Sequence, residues 1–494
     1  MKEQQYHLLC GECDEILLSQ SSTVKTCAIR WLHILREHPI FLSQYEYLFR
    51  EEAGSVSTFK SVFNYCRKLG ASLLHVFSSL FNSCRPWYEN EPVADNIDVL
   101  FISHFLSPAS NTNHGDFYYG ELPDVLANQG TGVGLAYINQ SKLNSISLVS
   151  LFRKEKIHQL VLGESISFHK ELSIMVGLLN ESLSLLLRSL VAPNKLRKEL
   201  LKRASEEALS ASTHTILRIA EQIGLVIEKS EPRFVVLTYE GHAWERIIFE
   251  KIRREYPQVR CIAYQHAAIF KLQHSIRRSL GERYEPHYIF TAGRVSMKQL
   301  EDSRALMHIP LTVLGSNRCF RGENYEVSSN TCLVLPEGLI EECNILFEIS
   351  LKIAKSCPHL EFIWRLHPLI SFEELQDSYS YFRDLPVNIC LSESSLESDM
   401  KKSRWALYRG STAIISAVMA GLRPLYMSLP GEMSVDPLYM LEKWKLIIGN
   451  EKELKDILST DCIDQPETDE KDFAIKLCRE FYMPMDSSAF QALL

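Results

Sequence analysis

Short runs of consecutive apolar residues, each followed by a helix-length segment, recur in two series along this chain. The first series opens with IDVLFISHF (Ile97–Phe105) and continues through GVGLAYIN, IHQLVLG, RFVVLTYEG, VRCIAYQHA, PHYIFTAG and LTVLGS. The second opens with TCLVLPEG and continues through LEFIWRLHP, VNICLSES, RWALYRGST and RPLYMSLP. A run that is apolar at almost every position suits a strand buried on both faces, and regular alternation with helices implies a parallel sheet with helices on each side. The expected fold class is therefore α/β: two doubly wound domains facing each other across a cleft, with ligands outside the carboxyl ends of the strands.

The expected division is a mainly helical N-terminal region over 1–95, a first α/β domain over 96–320, a second over 321–465, and a C-terminal helix over 466–494 that packs back on the first domain. The polar stretch RPWYENEPVADN (Arg85–Asn96) reads as a linker, and CFRGENYEVSSN (Cys319–Asn330) reads as the boundary between the two sheets. Thr26–Phe49 carries aromatic and aliphatic residues at helical spacing.

With 494 residues, 46% of them hydrophobic, the chain can bury two large cores. The net charge of −8 comes with no Lys/Arg block, so no nucleic-acid partner is expected. Thirteen scattered cysteines fit a reducing cytoplasm. Cys10 and Cys13 form a CxxC without a second pair at zinc spacing and read as ordinary thiols. Lys2, Glu3, Gln4 and Gln5 stand where a signal peptide would begin its apolar run, so none is expected. The most apolar segment, Leu172–Val191, contains Asn180, Glu181 and Arg188 and reads as a packed helix that leaves room for peripheral membrane contact.

Polar residues gather where strands end. In YRGSTAIISAVMAG, Gly410 gives a tight turn, Ser411 and Thr412 fall at the N-cap and first helical positions, and Ile414, Ile415, Val418 and Met419 follow at helical spacing. Backbone N–H groups and two hydroxyls converging there make an anion site, although the same residues also serve an ordinary helix start. His367, held out of helix by Pro368, ends another run, expected to adjoin the strand before Gly410 in one sheet, and can donate to a phosphate oxygen; Arg365 is expected on the same side of that strand. Glu337 and Gly338 follow the opening strand of the second series and are expected to border a nucleoside. In the first series, Glu240 (in LTYEGHAWER), His266 (in YQHA) and Asp116 (in HGDFYYG) compete as general base, with burial expected to raise the pKa of Glu240. GTGVG (Gly130–Gly134) precedes a strand where a dinucleotide fingerprint must follow one, and no Gly-Lys-Ser/Thr phosphate loop, HExxH or Asp-any-Asp triplet occurs. No metal and no other cofactor is expected.

The HP pair at His367-Pro368 and the hydroxyl pair at Ser411-Thr412 resemble the paired motifs of bacterial GT-B glycosyltransferases that use CMP-activated sugars, a group including sialyltransferases and Kdo transferases. Tyr239-Glu240-Gly241 resembles that group's acidic-acidic-glycine motif with tyrosine in the first place, and YQHA resembles the His-Gly motif of teichoic-acid glycerophosphate polymerases with alanine after the histidine. The resemblance spans about 97–440 and leaves out the first 90 residues. It implies transfer of a 2-keto sugar acid of Kdo or nonulosonate type from a CMP-sugar donor to a surface glycan or glycolipid acceptor, in the cytoplasm or at the inner face of the membrane. His367, Ser411 and Thr412 would hold the phosphate and Glu240 would be the base. The alternatives are a UDP- or GDP-sugar transferase or nucleotide-sugar epimerase of the same fold, with Arg409 or Arg423 meeting the second phosphate, or a non-catalytic subunit of a polysaccharide assembly complex.

Overall fold

The computed structural model describes residues 1–50, 58–78, 85–90, 97–106, 115–152, 157–319, 322, 330–368, 370–460 and 468–493. Parts of two expected features lie outside these residues: the linker beyond 90 and most of the boundary segment over 319–330.

Fourteen strands fall among the described residues: β1 Trp87–Glu89, β2 Val99–Phe105, β3 Val133–Asn139, β4 His158–Leu162, β5 Phe234–Thr238, β6 Arg260–Gln265, β7 Tyr288–Thr291, β8 Leu311–Val313, β9 Thr331–Leu335, β10 Glu361–Trp364, β11 Ile389–Leu391, β12 Trp405–Tyr408, β13 Arg423–Met427 and β14 Leu446–Ile448. They form two sheets, ordered β1-β4-β3-β2-β5-β6-β7-β8 and β11-β10-β9-β12-β13-β14. Every pairing is parallel except that of β1 with β4. Chain order reverses between β2 and β5 in the first sheet and between β9 and β12 in the second, the crevices where open α/β sheets bind ligands. The α/β expectation of two doubly wound domains holds.

The register explains why these strands read as unbroken apolar runs. On β2, Phe101 and Phe105 enter one core with Leu135, Val236 and Tyr264, while Leu100 and Ile102 enter the other with Ala136, Val235 and Ala263. The second sheet repeats the pattern: Cys332, Val334, Trp364 and Trp405 face one way, Leu333, Leu335, Ile363 and Ala406 the other. Both faces are covered, so alternation along each strand selects between two cores rather than between core and water.

The N-terminal region belongs to the first of these bodies. Tyr6, Leu9, Cys10 and Cys13 of the helix Glu3–Leu17 are buried in the same core as Leu100 and Leu237. Burial pushes the Cys10 thiol up to about 12 and raises Cys13 as well, so the CxxC is a pair of packed, unreactive thiols. The helical spacing of Thr26–Phe49 is not realised as one helix. Short turns at Val24–Cys27, Arg30–His33, Pro39–Leu42 and Ser43–Phe49 replace it, broken where Ile34 takes φ +44° and where Pro39 starts a new turn. At the other end, Phe481 and Tyr482 pack with Ala292 and Val295 of the first body and Ile414 of the second, and Phe490 stacks toward Phe101 and Phe290. The helix Phe168–Leu190 is long and apolar enough by composition to cross a membrane, yet it buries Met175, Leu178, Glu181 and Leu185 while Leu183, Leu187 and Leu190 stay exposed.

Candidate functional site

The loop after β5 is set by a glutamate that sequence reasoning passed over. Glu245, fully buried on the first turn of the helix Ala243–Glu255, accepts the backbone N–H groups of Glu240 (3.0 Å), Gly241 (2.8 Å) and His242 (2.9 Å). Gly241 sits at φ +83°, and a side chain there would meet the Ser275 carbonyl at 2.4 Å, so only glycine fits. Beneath, Arg246 donates to the carbonyls of Ser275 and Arg278 and lies 5.3 Å from the Tyr239 ring, binding the loop to the neighbouring chain. Burial, with Glu240 nearby, raises the Glu245 carboxyl to about 7.

That loop projects Glu240 between two imidazoles. His242 Nε2 lies 3.1 Å from one carboxylate oxygen and His266 Nε2 lies 3.7 Å from the other. Burial alone would raise the Glu240 pKa, as the sequence suggested. The His242 hydrogen bond and the charges of His266, His242 and Arg36 outweigh it and hold the carboxyl well below its ordinary value. Burial tends to lower His242, but Glu240 and Glu245 raise it above the ordinary histidine value. His266, at the end of β6, is pushed down to about 4 by burial and stands behind the pair with Tyr118 edge-on at 4.7 Å.

Asp116 stands farther back. It is 5% exposed and accepts Ser103 Oγ (2.7 Å) and the N–H groups of Tyr118 and Tyr119 (2.9 Å each). Burial raises its pKa despite those bonds. It shapes the turn that places Tyr118 against His266 and does not line the cavity described next.

Across from Glu240 lies the carboxyl edge of the second sheet. His367 and the Gly410-Ser411-Thr412 turn were expected on adjoining strand ends. They are not: β9 runs between β10 and β12, and its own exit loop, Glu337-Gly338, fills the gap. A side chain on Gly338 would meet the His367 ring at 2.7 Å, and one on Gly410 would meet the Glu337 carboxyl at 2.5 Å. A larger residue at either position would have to push one of these side chains aside. The helix is Ala413–Met419 with Thr412 as N-cap, one residue later than expected, and no hydroxyl caps it. Burial lowers the His367 pKa, with Glu337 opposing.

Arg365 turns away. The strand ends at Trp364, so alternation no longer sets its direction, and it binds Asp399 (2.8 Å), Ser392 (3.1 Å) and the Ser394 carbonyl (2.7 Å). Arg409 is buried between Glu342 (2.8 Å) and Glu432 (2.7 Å), and Arg423 starts β13 at the opposite edge, bonded to the Trp444 carbonyl. Neither supplies the second-phosphate cation expected of them.

A cavity of about 700 Å³ joins the two edges. Its wall includes Glu240 and His242 from one side and Glu337, Gly338, His367, Gly410, Ser411 and Thr412 from the other. A third contributor is the N-terminal segment, through Arg30, Trp31, Arg36 and Gln44. Arg36 spans the cleft: its guanidinium lies 4.0 Å from the Phe270 ring centroid and 2.9 Å from the Glu337 carboxylate. His38, fully buried, lies 3.0 Å from Glu337 and 3.2 Å from Glu342. Burial alone would lower His38, but these two carboxylates raise it above 6.5. Burial likewise works against ionised Glu337, yet His38 and Arg36 bring its carboxyl down to about 2. These contacts predict a pH effect with a definite sign. The stabilisation from His38 is full below pH 6.5 and is lost as pH rises through its higher folded pKa. Tm measured by calorimetry should fall above pH 6.5, and His38→Gln should flatten that fall; an unchanged pH profile would remove His38 from this role.

No protein-family model and no curated protein matches the chain. Solved structures that resemble it include the glycotransferase of kitacinnamycin (9% identity, covering 81% of this chain and 100% of that one, TM-score 0.47). Another is the glycosyltransferase SnogD from Streptomyces nogalater (13%, 81% and 99%, TM-score 0.44). A third is the UDP-GlcNAc 2-epimerase from Neisseria meningitidis bound to UDP-GlcNAc (13%, 80% and 98%, TM-score 0.41). Likeness at this level leaves the chemistry to be read from the side chains of this chain.

Proposed function

We propose that the cleft transfers a sugar from a nucleotide-activated donor to a hydroxyl of a glycan acceptor, and that the donor is a CMP-linked 2-keto sugar acid. The observation that carries this reading is the shared cavity: a carboxylate–imidazole pair, Glu240–His242, opens into the same space as His367, Ser411 and Thr412. One edge can take a proton from an attacking hydroxyl while the other holds the departing phosphate.

In the proposed step the acceptor oxygen attacks the anomeric carbon, its proton passes to Glu240, and the bond from that carbon to the phosphate oxygen breaks. CMP leaves with the electron pair. His367, the Ser411 and Thr412 hydroxyls and the backbone at Gly410 stabilise it. Glu337 lies against this turn, but Arg36 and His38 already balance its charge, so it orders the nucleotide side without repelling it. The exposed Leu183, Leu187 and Leu190 on the helix Phe168–Leu190 fit an enzyme that works at the inner face of a membrane on a lipid-borne acceptor.

A panel of CMP-, UDP- and GDP-sugars, scored by the nucleotide released with and without acceptor, tests the assignment. Release of CMP alone is expected. Release of UDP or GDP moves the donor assignment to the diphosphate class, and epimerised UDP-sugar without transfer replaces transferase by epimerase. Absence of turnover and of nucleotide binding removes the enzyme reading.

A further inference from the structure

The part of the cavity wall formed by Arg30, Trp31, Ile34 and Tyr45 with Glu207 and Ser212 is used by none of the steps above, and it carries three features without an internal explanation. Arg30 lines the cavity, is exposed, and makes no ion pair among the described residues. Every carboxylate lining the cavity already has a cationic partner: Glu207 has Lys68 (2.8 Å) and Arg203 (2.6 Å), Glu240 has His242, and Glu337 has Arg36 and His38. Among the described residues Arg30 is thus a cavity charge without an ion-pair partner.

Beside it, Trp31 is 6% exposed and its indole N–H is shielded from water with no hydrogen-bond partner, an arrangement that costs on the order of 1–3 kcal/mol when left unsatisfied. Three residues on, Ile34 holds φ +44°, a left-handed conformation that a β-branched residue adopts only when its surroundings enforce it. Strain of this kind collects at ligand clamps.

This wall is fixed to the first body. Trp31, Leu32, Ile34 and Tyr45 share a core with Leu200, Ala204 and Tyr239, and the Tyr45 hydroxyl donates to the Trp31 carbonyl at 2.6 Å. Arg30 and Trp31 therefore stand with the Glu240 side of the cleft, while Arg36 and His38 of the same segment reach across it to Glu337.

We infer that the N-terminal segment builds the acceptor subsite and that this subsite takes a saccharide bearing an acid group, with Arg30 pairing the acid and the Trp31 wall closing on the ring. The inference rests on the transferase reading for the word acceptor. The binding itself does not. A carboxylate and a phosphate present the same anionic oxygens to a guanidinium, so both sources belong in the test.

Saturation-transfer NMR titrations of the full chain with glucuronate, glucose 6-phosphate and glucose give three Kd values. At least fivefold tighter binding of an acidic sugar than of glucose is expected, and the stronger of the two acidic probes identifies the source. Arg30→Gln should remove that preference, while Trp31→Phe should weaken all three sugars. His367→Ala should leave the preference intact, because it lies on the opposite edge. Equal binding of acidic and neutral sugars, no binding of any, or a preference that survives Arg30→Gln would overturn the inference. A chain that shows the preference but binds no nucleotide would keep this site and lose the transferase reading, so the two fail separately.

Discussion

Glu240→Gln is expected to lower sugar transfer by roughly 10²–10⁴-fold while nucleotide binding stays near its original strength. The amide keeps the shape of the side chain but cannot accept the acceptor's proton. The pH profile carries a second signature. Because His242 and His266 hold the Glu240 carboxyl below its ordinary value, against burial, the acid limb of kcat/KM should lie below the usual carboxylate range. His242→Ala removes the closest of those contacts, and the acid limb should then move up. Stability has the same sign: a depressed carboxylate contributes above its unfolded value of 4.5, and the contribution is lost as pH falls through the folded value. Glu245→Ala separates positioning from chemistry. It strips three backbone N–H groups of their acceptor and should cost about 1–3 kcal/mol in stability, read as a lower Tm. Normal transfer by Glu240→Gln would shift the base to one of the two imidazoles beside it, His242 or His266.

His367→Ala and Ser411→Ala should each weaken nucleotide binding by about tenfold to a hundredfold, the range for one hydrogen bond to a charged group. The Tm without ligand should hardly change, since both side chains are only partly buried. Burial disfavours the charged form of His367 when the site is empty. An arriving phosphate favours that form again, so binding takes up a proton and affinity should increase as pH falls toward 6, an effect that His367→Ala removes. Titration calorimetry in buffers of different ionisation heat measures both quantities. Equal affinity in variant and parent would dissolve the donor site.

Much of the architecture was legible because it is local. Runs such as VLFISHF and TCLVL are apolar at successive positions, and each is followed by a stretch long enough to cross over as a helix. The carboxyl-edge positions of Glu240, His266, Glu337, His367 and Ser411 follow from the same count along the strands. Legibility stopped where alternation stopped. Arg365 was placed with His367 by a period-two rule that ends at Trp364, and it faces Asp399 instead. Glu245 was hidden because a glutamate in a first helical turn is ordinary; its three backbone partners appear only once the loop is folded back on it.

What the amino-acid order determined by itself is the pair of wound sheets and the identity of the polar groups at their edges, since strand and helix periods act over a few residues. What only the tertiary structure decided is which of those groups meet. Strand order placed β9 between His367 and Ser411 and so put Glu337 at the centre of the second edge. The N-terminal segment then closed the cleft through Arg36, which reaches Glu337 across 301 positions of chain. Such a contact has no local period to announce it, because it depends on how the fold brings residues far apart in the chain within reach.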